Sequence, residues 1–343
     1  MTDAFVPAEW ALQKAVWLTW PSMSAWWGGG SPRVFEAFAA LVAAVSHFEK
    51  VRVNCPVKAQ EAALKYINAA KVDLKNLEFF DNDSNDVWCR DSGAVFRLNA
   101  GALEALDFKY NSWGGKFPPW DKDDLLASKM AVCAGAKNVR IADMTCEGGG
   151  LEFDGRGLLM TTECVVLNKN RNPDLSKGAA DEIFKKYCGV RRVIWLPDGL
   201  YNDDTDGHID NLARFTPCGK ILAAFSESDN PSYASLKTNY DILKETPDSA
   251  GKPFDVIKLN VPLAPVRHLK TGAILPASYA NYLVINGAVI VPSYAQESSD
   301  DAAAGLIGEF FCGRRVIKLD SRAFLEEGGA VHCLTQQEPL AQK

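Results

Sequence analysis

The chain has 343 residues, 47% hydrophobic and 23% charged, which supplies apolar material for a large core and excludes a disordered polyelectrolyte. Its formal charge of −6, with Lys and Arg dispersed, provides no basic stripe for nucleic acid and suits a cationic ligand better. No apolar run approaches the roughly 18–20 residues of a membrane span, and Met1 to Trp10 lacks a basic region followed by an apolar core, so no membrane contact and a cytoplasmic location are expected.

In chain order, the Trp-rich apolar segment 15–20 comes first, and Leu77–Phe80 reads as a strand leading to a polar turn at Asp91 and a hairpin over 93–108. A helix over 123–135, a strand over 138–144 and the turn 145–150 with Glu147 lead into a hairpin over 151–167, marked by Asp154-Gly155. The unit recurs as a helix over 179–189, a strand over 190–197, the acidic turn 198–210 with His208, and a hairpin over 211–225 that turns at Cys218-Gly219. It recurs again as a strand over 254–259, a turn at Ser278 and a hairpin over 279–294. A last strand over 315–319 leads to Gly329.

The turns at Asp91, Glu147, His208, Ser278 and Gly329 therefore return about every 50–70 residues. Five units whose first and last halves complete each other predict a closed ring, an α/β propeller of five blades with ββαβ-type repeats, read as a single domain over 1–343. Every turn follows the same strand of its blade, so the turns converge at one end of the ring.

Nine scattered cysteines without a CxxC argue against a disulfide framework and a zinc ribbon. Most are expected to be reduced, buried, small hydrophobes. Cys333 stands apart, because Gly328-Gly329 precedes it and His208, flanked by Asp206 and Asp210, occupies an equivalent turn. His332 is expected to point away from the site and to serve packing or backbone bonding.

Asp86, Asp91, Glu147 and Asp210 would repel one another in a shared cavity unless a cation sat among them. The chain has no HExxH, no zinc-spaced Cys/His pairs and no EF-hand loop, so no metal or cofactor is expected. A planar guanidinium, with five N–H donors in a fixed fork, fits two carboxylates better.

The segments 7–21, 85–93, 111–124, 147–173, 203–215, 277–292 and 328–339 together resemble the agmatine deiminase family of guanidine-modifying enzymes, which shares a five-bladed propeller. The resemblance implies Cys333 as nucleophile, His208 as general acid and base, Asp91 and Asp210 as guanidinium ligands, and Glu147 as a further acid that orients His208. Two positions depart from the family pattern: Ala94 where Pro is expected, and Glu327 where a third Gly is common.

The implied substrate is a small cation, agmatine, whose distal ammonium would be met by the surplus acids Asp203, Asp204 and Asp206 and by Trp88 and Trp113. A deiminase of arginine residues in peptides and a catalytically silent binding propeller are the competing readings. A homodimer is the default assembly.

Overall fold

A computed structural model describes residues 4–22, 31–248 and 251–341. Among these residues the strands form five sheets, each built on one plan: an antiparallel hairpin, a helix, and a third strand that returns parallel to the hairpin's second strand. The first blade pairs Val95–Asn99, Ala102–Lys109 and Val139–Thr145, with Ala4–Phe5 added at its edge. The second holds Glu152–Phe153, Leu158–Thr162 and Arg192–Leu196, and the third Ala213–Phe215, Ile221–Phe225 and Val256–Asn260. The fourth holds Leu283–Ile285, Ala288–Ser293 and Arg315–Asp320. In these four blades each hairpin and third strand anticipated from the sequence appears, within a few residues at its ends.

Local chemistry fixes the units. Helix Lys177–Cys188 begins at Ser176, whose hydroxyl accepts from the Ala179 N–H at 3.2 Å, and ends on Gly189 in the left-handed region. Ala180, Phe184 and Cys188 recur every four residues and bury one face of it. The first blade's hairpin turns through Ala100 and Gly101, both at positive φ, the two-residue turn whose twist matches that of the strands.

The fifth blade joins the chain's two ends, as the ring reading requires: Thr335–Pro339 pairs antiparallel with Gln13–Thr19. Its third strand, however, is Lys50–Asn54, and Leu77–Phe80 is a fourth strand outside it, so the sequence reading put the outer strand in the inner one's place. Lys50 and Arg52 give the true third strand a charged look. Their charges are met across the sheet, Arg52 by Glu338 at 2.6 Å and by Glu78 at 3.0 Å, and Lys50 by Glu78. Helix Pro32–Ser46 packs Phe38, Leu41, Val42 and Val45 against this sheet; fully burying such a side chain contributes about 1.5–3 kcal/mol. Among the described residues no helix is long and apolar enough to cross a membrane.

Glu338, fully buried, also accepts the Trp17 indole N–H at 2.9 Å, so one carboxylate fastens the strands that close the ring. Glu338→Ala leaves Arg52 with Glu78 alone and orphans the indole. Loss of these bonds is expected to cost about 1–3 kcal/mol, read as a lower midpoint in urea unfolding; an unchanged midpoint would contradict the closure.

Candidate active site

The loops that carry the chain from one blade to the next meet at one end of the ring. Asp91 lies in the one-turn helix Cys89–Ser92, Glu147 immediately before the turn Gly148–Gly150, and Asp210 in the turn Ile209–Asn211, directly after His208. Glycine permits their approach. A Cβ on Gly148 would lie 2.2 Å from the Arg90 carbonyl oxygen, and one on Gly149 would lie 2.5 Å from His208 Nδ1 and 2.7 Å from Asp91 Oδ1. The Cys333 segment is tied to the Asp91 turn by the Arg90 N–H, which donates to the Cys333 carbonyl at 3.2 Å. A Cβ on Gly329 would lie 2.4 Å from the Trp88 ring.

Asp91, Glu147, His208, Asp210 and Cys333 are all buried and gathered here. Asp91 accepts from the Gly149 N–H and from the Trp113 indole N–H, each at 3.0 Å. His208 stands between two carboxylates, with Nδ1 3.7 Å from Asp91 Oδ1 and Nε2 3.5 Å from Glu147 Oε2. Glu147 is in turn gripped by Arg171 Nε at 2.8 and 3.0 Å. Cys333 Sγ lies 3.6 Å from Asp210 Oδ2 and 3.0 Å from Asn281 Nδ2. Thiol and imidazole are not bonded to each other, since among the described residues neither ring nitrogen of His208 has a hydrogen-bond partner.

The electrostatics follow from burial among these charges. Burial opposes the charged form of His208, but Asp91 and Glu147 outweigh it and raise the imidazole to about 9. Burial, with Asp210 and Glu147 adding repulsion against His208's attraction, raises Asp91 to about 6. Burial also works against Glu147 and Asp210, yet Arg171 and His208 hold the former, and His332 the latter, below the usual carboxylate range. Burial, then Asp210 and Asp91, push the Cys333 thiol well above its ordinary value. The ring thus presents an ionised Asp210, a protonated imidazole and a silent thiol at neutral pH.

A cavity of about 200 Å³ opens onto Cys333 and Asp91. Asp86, Asp204, Glu326 and Glu327 line it beside Trp88 and Trp113, and among the described residues no Lys or Arg does. Trp88 and Trp113 meet edge to face, with centroids 6.5 Å apart. Trp113 rides on a left-handed turn, Ser112 to Gly115 all at positive φ, held by Asn111, whose side chain accepts from the Gly114 N–H at 2.9 Å. Of the acids expected around a distal ammonium, only Asp204 lines the cavity. Asp206 is neutralised by Lys116 at 2.7 Å and Arg171 at 2.6 Å, and Asp203 accepts from Thr205. Among the described residues no group of three His, Cys, Asp or Glu is placed to hold a metal ion.

Four residues escaped the sequence reading. His332 does not serve packing: its Nδ1 lies 2.8 Å from Asp210 Oδ2 and its Nε2 2.7 Å from Glu9 Oε2, a bridge reached because 331–334 is a turn and not a strand. Glu9, Arg171 and Asn281 complete the surroundings. All three lie in segments that carried the resemblance, and adjacency to Cys333 was the available signal for His332.

The profile of the Porphyromonas-type peptidyl-arginine deiminase family matches residues 5–339. The chain belongs to that family. An agmatine deiminase of Pseudomonas fluorescens is 33% identical, the match covering 99% of this chain and 96% of that protein. Among solved structures, the agmatine deiminase of Enterococcus faecalis superposes with a TM-score of 0.92 at 30% identity, covering 98% and 96% of the two chains. An agmatine deiminase of C. jejuni with substrate bound gives 0.89 at 32%, covering 99% and 97%. The resemblance to agmatine deiminases is borne out by these relatives of the deiminase family.

Gly149 tests how closely the site is packed. Gly149→Ala is expected to displace His208 or Asp91 and to lower kcat about 100-fold with little change in melting temperature, since small misplacements cost that much. Full activity in that variant would mean the two side chains are not held where they stand.

Proposed function

We propose that this deiminase hydrolyses the guanidinium of agmatine to N-carbamoylputrescine and ammonia, with Cys333 as nucleophile. The observation that carries this reading is the cavity itself: it reaches the Cys333 thiol and the Asp91 carboxylate, with Asp210 3.6 Å from that thiol, and further acids but no basic side chain line it among the described residues. The family's name favours arginine residues of peptides. Free arginine brings an α-carboxylate that calls for Arg or Lys, and a peptide brings carbonyls that call for donors, whereas Asp86, Asp204 and Glu327 offer acceptors to an ammonium.

Asp91 and Asp210 would grip the guanidinium from two sides, the free Asp210 Oδ1 providing one contact. The bound cation offsets the carboxylates that disfavour the thiolate, so the thiol proton is released as substrate enters. Sγ attacks the guanidinium carbon, His208 delivers its proton to the departing nitrogen, and ammonia leaves an S-alkylthiouronium on Cys333. Neutral His208 then takes a proton from water, whose oxygen adds to the same carbon. Collapse of that adduct frees the ureido product and returns the thiolate, which regains its proton. Glu147, held by Arg171, keeps His208 protonated at the start.

We read the chain as one catalytic unit over 1–343, supported by ring closure between its end strands, and as a cytoplasmic homodimer. Nine free cysteines suit a reducing compartment. Light scattering tests the dimer.

Ammonia release from agmatine, free arginine and an arginine peptide, by wild type and Cys333→Ala, tests the substrate. Release from agmatine, abolished in the variant, is expected. Release chiefly from the peptide would replace this reading, and turnover by Cys333→Ala would remove the mechanism.

The pH profile of kcat/KM has a sign that follows from two groups. Asp91 must be ionised to hold the cation, so activity falls as pH drops through about 6. His208 must carry its proton, so activity falls again as pH rises through about 9. A profile flat between pH 4 and pH 6 would remove Asp91 from the binding step.

A further inference from the structure

Next to the acidic cavity that reaches Cys333 lies a second opening with a basic lining. It encloses about 300 Å³, against about 200 Å³ for the first, and three guanidinium groups line it: Arg33, Arg267 and Arg322. They come from three separate elements. Arg33 stands in the first turn of helix Pro32–Ser46, Arg267 in the loop between the third and fourth blades, and Arg322 in the one-turn helix Arg322–Leu325 that follows the fourth blade. The chain as a whole carries a net charge of −6, so this gathering of cations runs against its composition.

The acids nearby meet only part of that charge. Arg322 grips Asp320 through Nε and Nη2, at 2.9 and 2.7 Å, and Arg33 reaches Glu326 with Nη1 at 3.3 Å. Arg267 has a carbonyl instead, donating from Nη1 to the Gly272 oxygen at 2.9 Å. A guanidinium carries five N–H donors, so among the described residues these bonds leave each of the three with donors for a ligand. The helix that presents Arg33 has no acidic residue in its first turn, and the positive end of its dipole adds to the field there. Glu326 joins the two cavities, since it lines both. While Arg33 pairs with it, its charge is partly cancelled for a cation bound beside Cys333.

We propose that Arg33, Arg267 and Arg322 form a binding site for a small multivalent anion, of the phosphate or polycarboxylate kind, whose occupant draws Arg33 from Glu326 and strengthens the neighbouring cavity's hold on a cation. A monovalent anion would merely replace Glu326 on Arg33. A multivalent one engages the second and third guanidinium as well, through charge-assisted bonds roughly twice as strong as neutral ones. Occupation of the site is independent of the reaction; its effect on turnover rests on agmatine being the substrate.

Titration calorimetry with inorganic pyrophosphate and, separately, with citrate, at constant ionic strength and without agmatine, reads the site directly. Wild type is expected to bind one or both, which tells phosphate from carboxylate. Arg33→Gln and Arg267→Gln change exposed side chains and are expected to bind about 10-fold or more weakly, the loss of a hydrogen bond between charged groups. With saturating anion, KM for agmatine is expected to fall about fivefold in wild type and to stay unchanged in Glu326→Gln. No binding of either anion, or equal affinity in all three proteins, overturns the site. Binding without a fall in KM, or with an equal fall in Glu326→Gln, overturns the link through Glu326. If wild type turns over no agmatine, the substrate reading fails instead, and the calorimetry alone upholds or overturns the site.

Discussion

Buried negative charge is the constraint around which this molecule is arranged. Glu9, Asp91, Glu147, Glu152 and Asp210 are all buried where the loops of five blades meet, and a carboxylate withdrawn from water survives ionised only beside a cation or several donors. The chain supplies most of what is needed. Arg214 spans Glu9 and Glu152 at 2.9 and 3.0 Å, Arg171 spans Glu147 and Asp206, and His332 bridges Glu9 and Asp210. Asp91 and Asp210, of the five, have no Arg or Lys ion pair among the described residues: the bonds of Asp91 come from a backbone N–H and an indole, with His208 farther off, and Asp210 is met by His332. Asp210 keeps one oxygen unbonded. The compensation is therefore incomplete at one place, beside the cavity that reaches Cys333, and that place is shaped for a cation from outside.

The ring scaffold explains why such a network can be assembled at all. Its members come from segments as distant as Glu9 and His332, most of them where one blade hands the chain to the next, with Glu152 and Arg214 on the first strands of their blades. Because the strands 13–19 and 335–339 lie side by side, the two ends of the chain contribute to one pair of bonds around Glu9. Breaking a buried ion pair by removing one partner costs more than the pair contributes, since the orphaned charge remains inside. Stability and site geometry consequently depend on the same side chains here, Arg214 and Glu9 foremost.

Much of this was legible in the amino-acid sequence because repetition is. The hairpins at Cys218-Gly219 and Asp154-Gly155 announced the units, and the polar turns between apolar strands marked where Asp91, Glu147 and His208 would meet. Lys50–Asn54 was not legible, because its charged residues pair with Glu78 and Glu338 from strands distant in the chain, and a sequence window sees the charge without the partner. His332 was misread for a different reason: its direction depended on whether 331–334 formed a strand, and it forms a turn. The positive φ of Ser112 and Trp113, neither of them glycine, was equally hidden, since Gly114-Gly115 signals a turn but not one that begins earlier.

That left-handed turn also bears on why the proposed nucleophile is quiet at rest. Each non-glycine residue in it costs about 1–2 kcal/mol, and what the cost secures is an indole N–H on Asp91, fixing a carboxylate that disfavours the thiolate. On the proposed mechanism the opposition is useful. The carboxylates that suppress the thiolate are the ones that bind the guanidinium, so the ligand that needs attacking is also the cation that lifts the suppression. A neutral electrophile or a stray oxidant entering the cavity meets a protonated thiol, which is a poor nucleophile. Selectivity then comes from activation as well as fit: whatever cannot neutralise Asp91 and Asp210 finds no thiolate to react with.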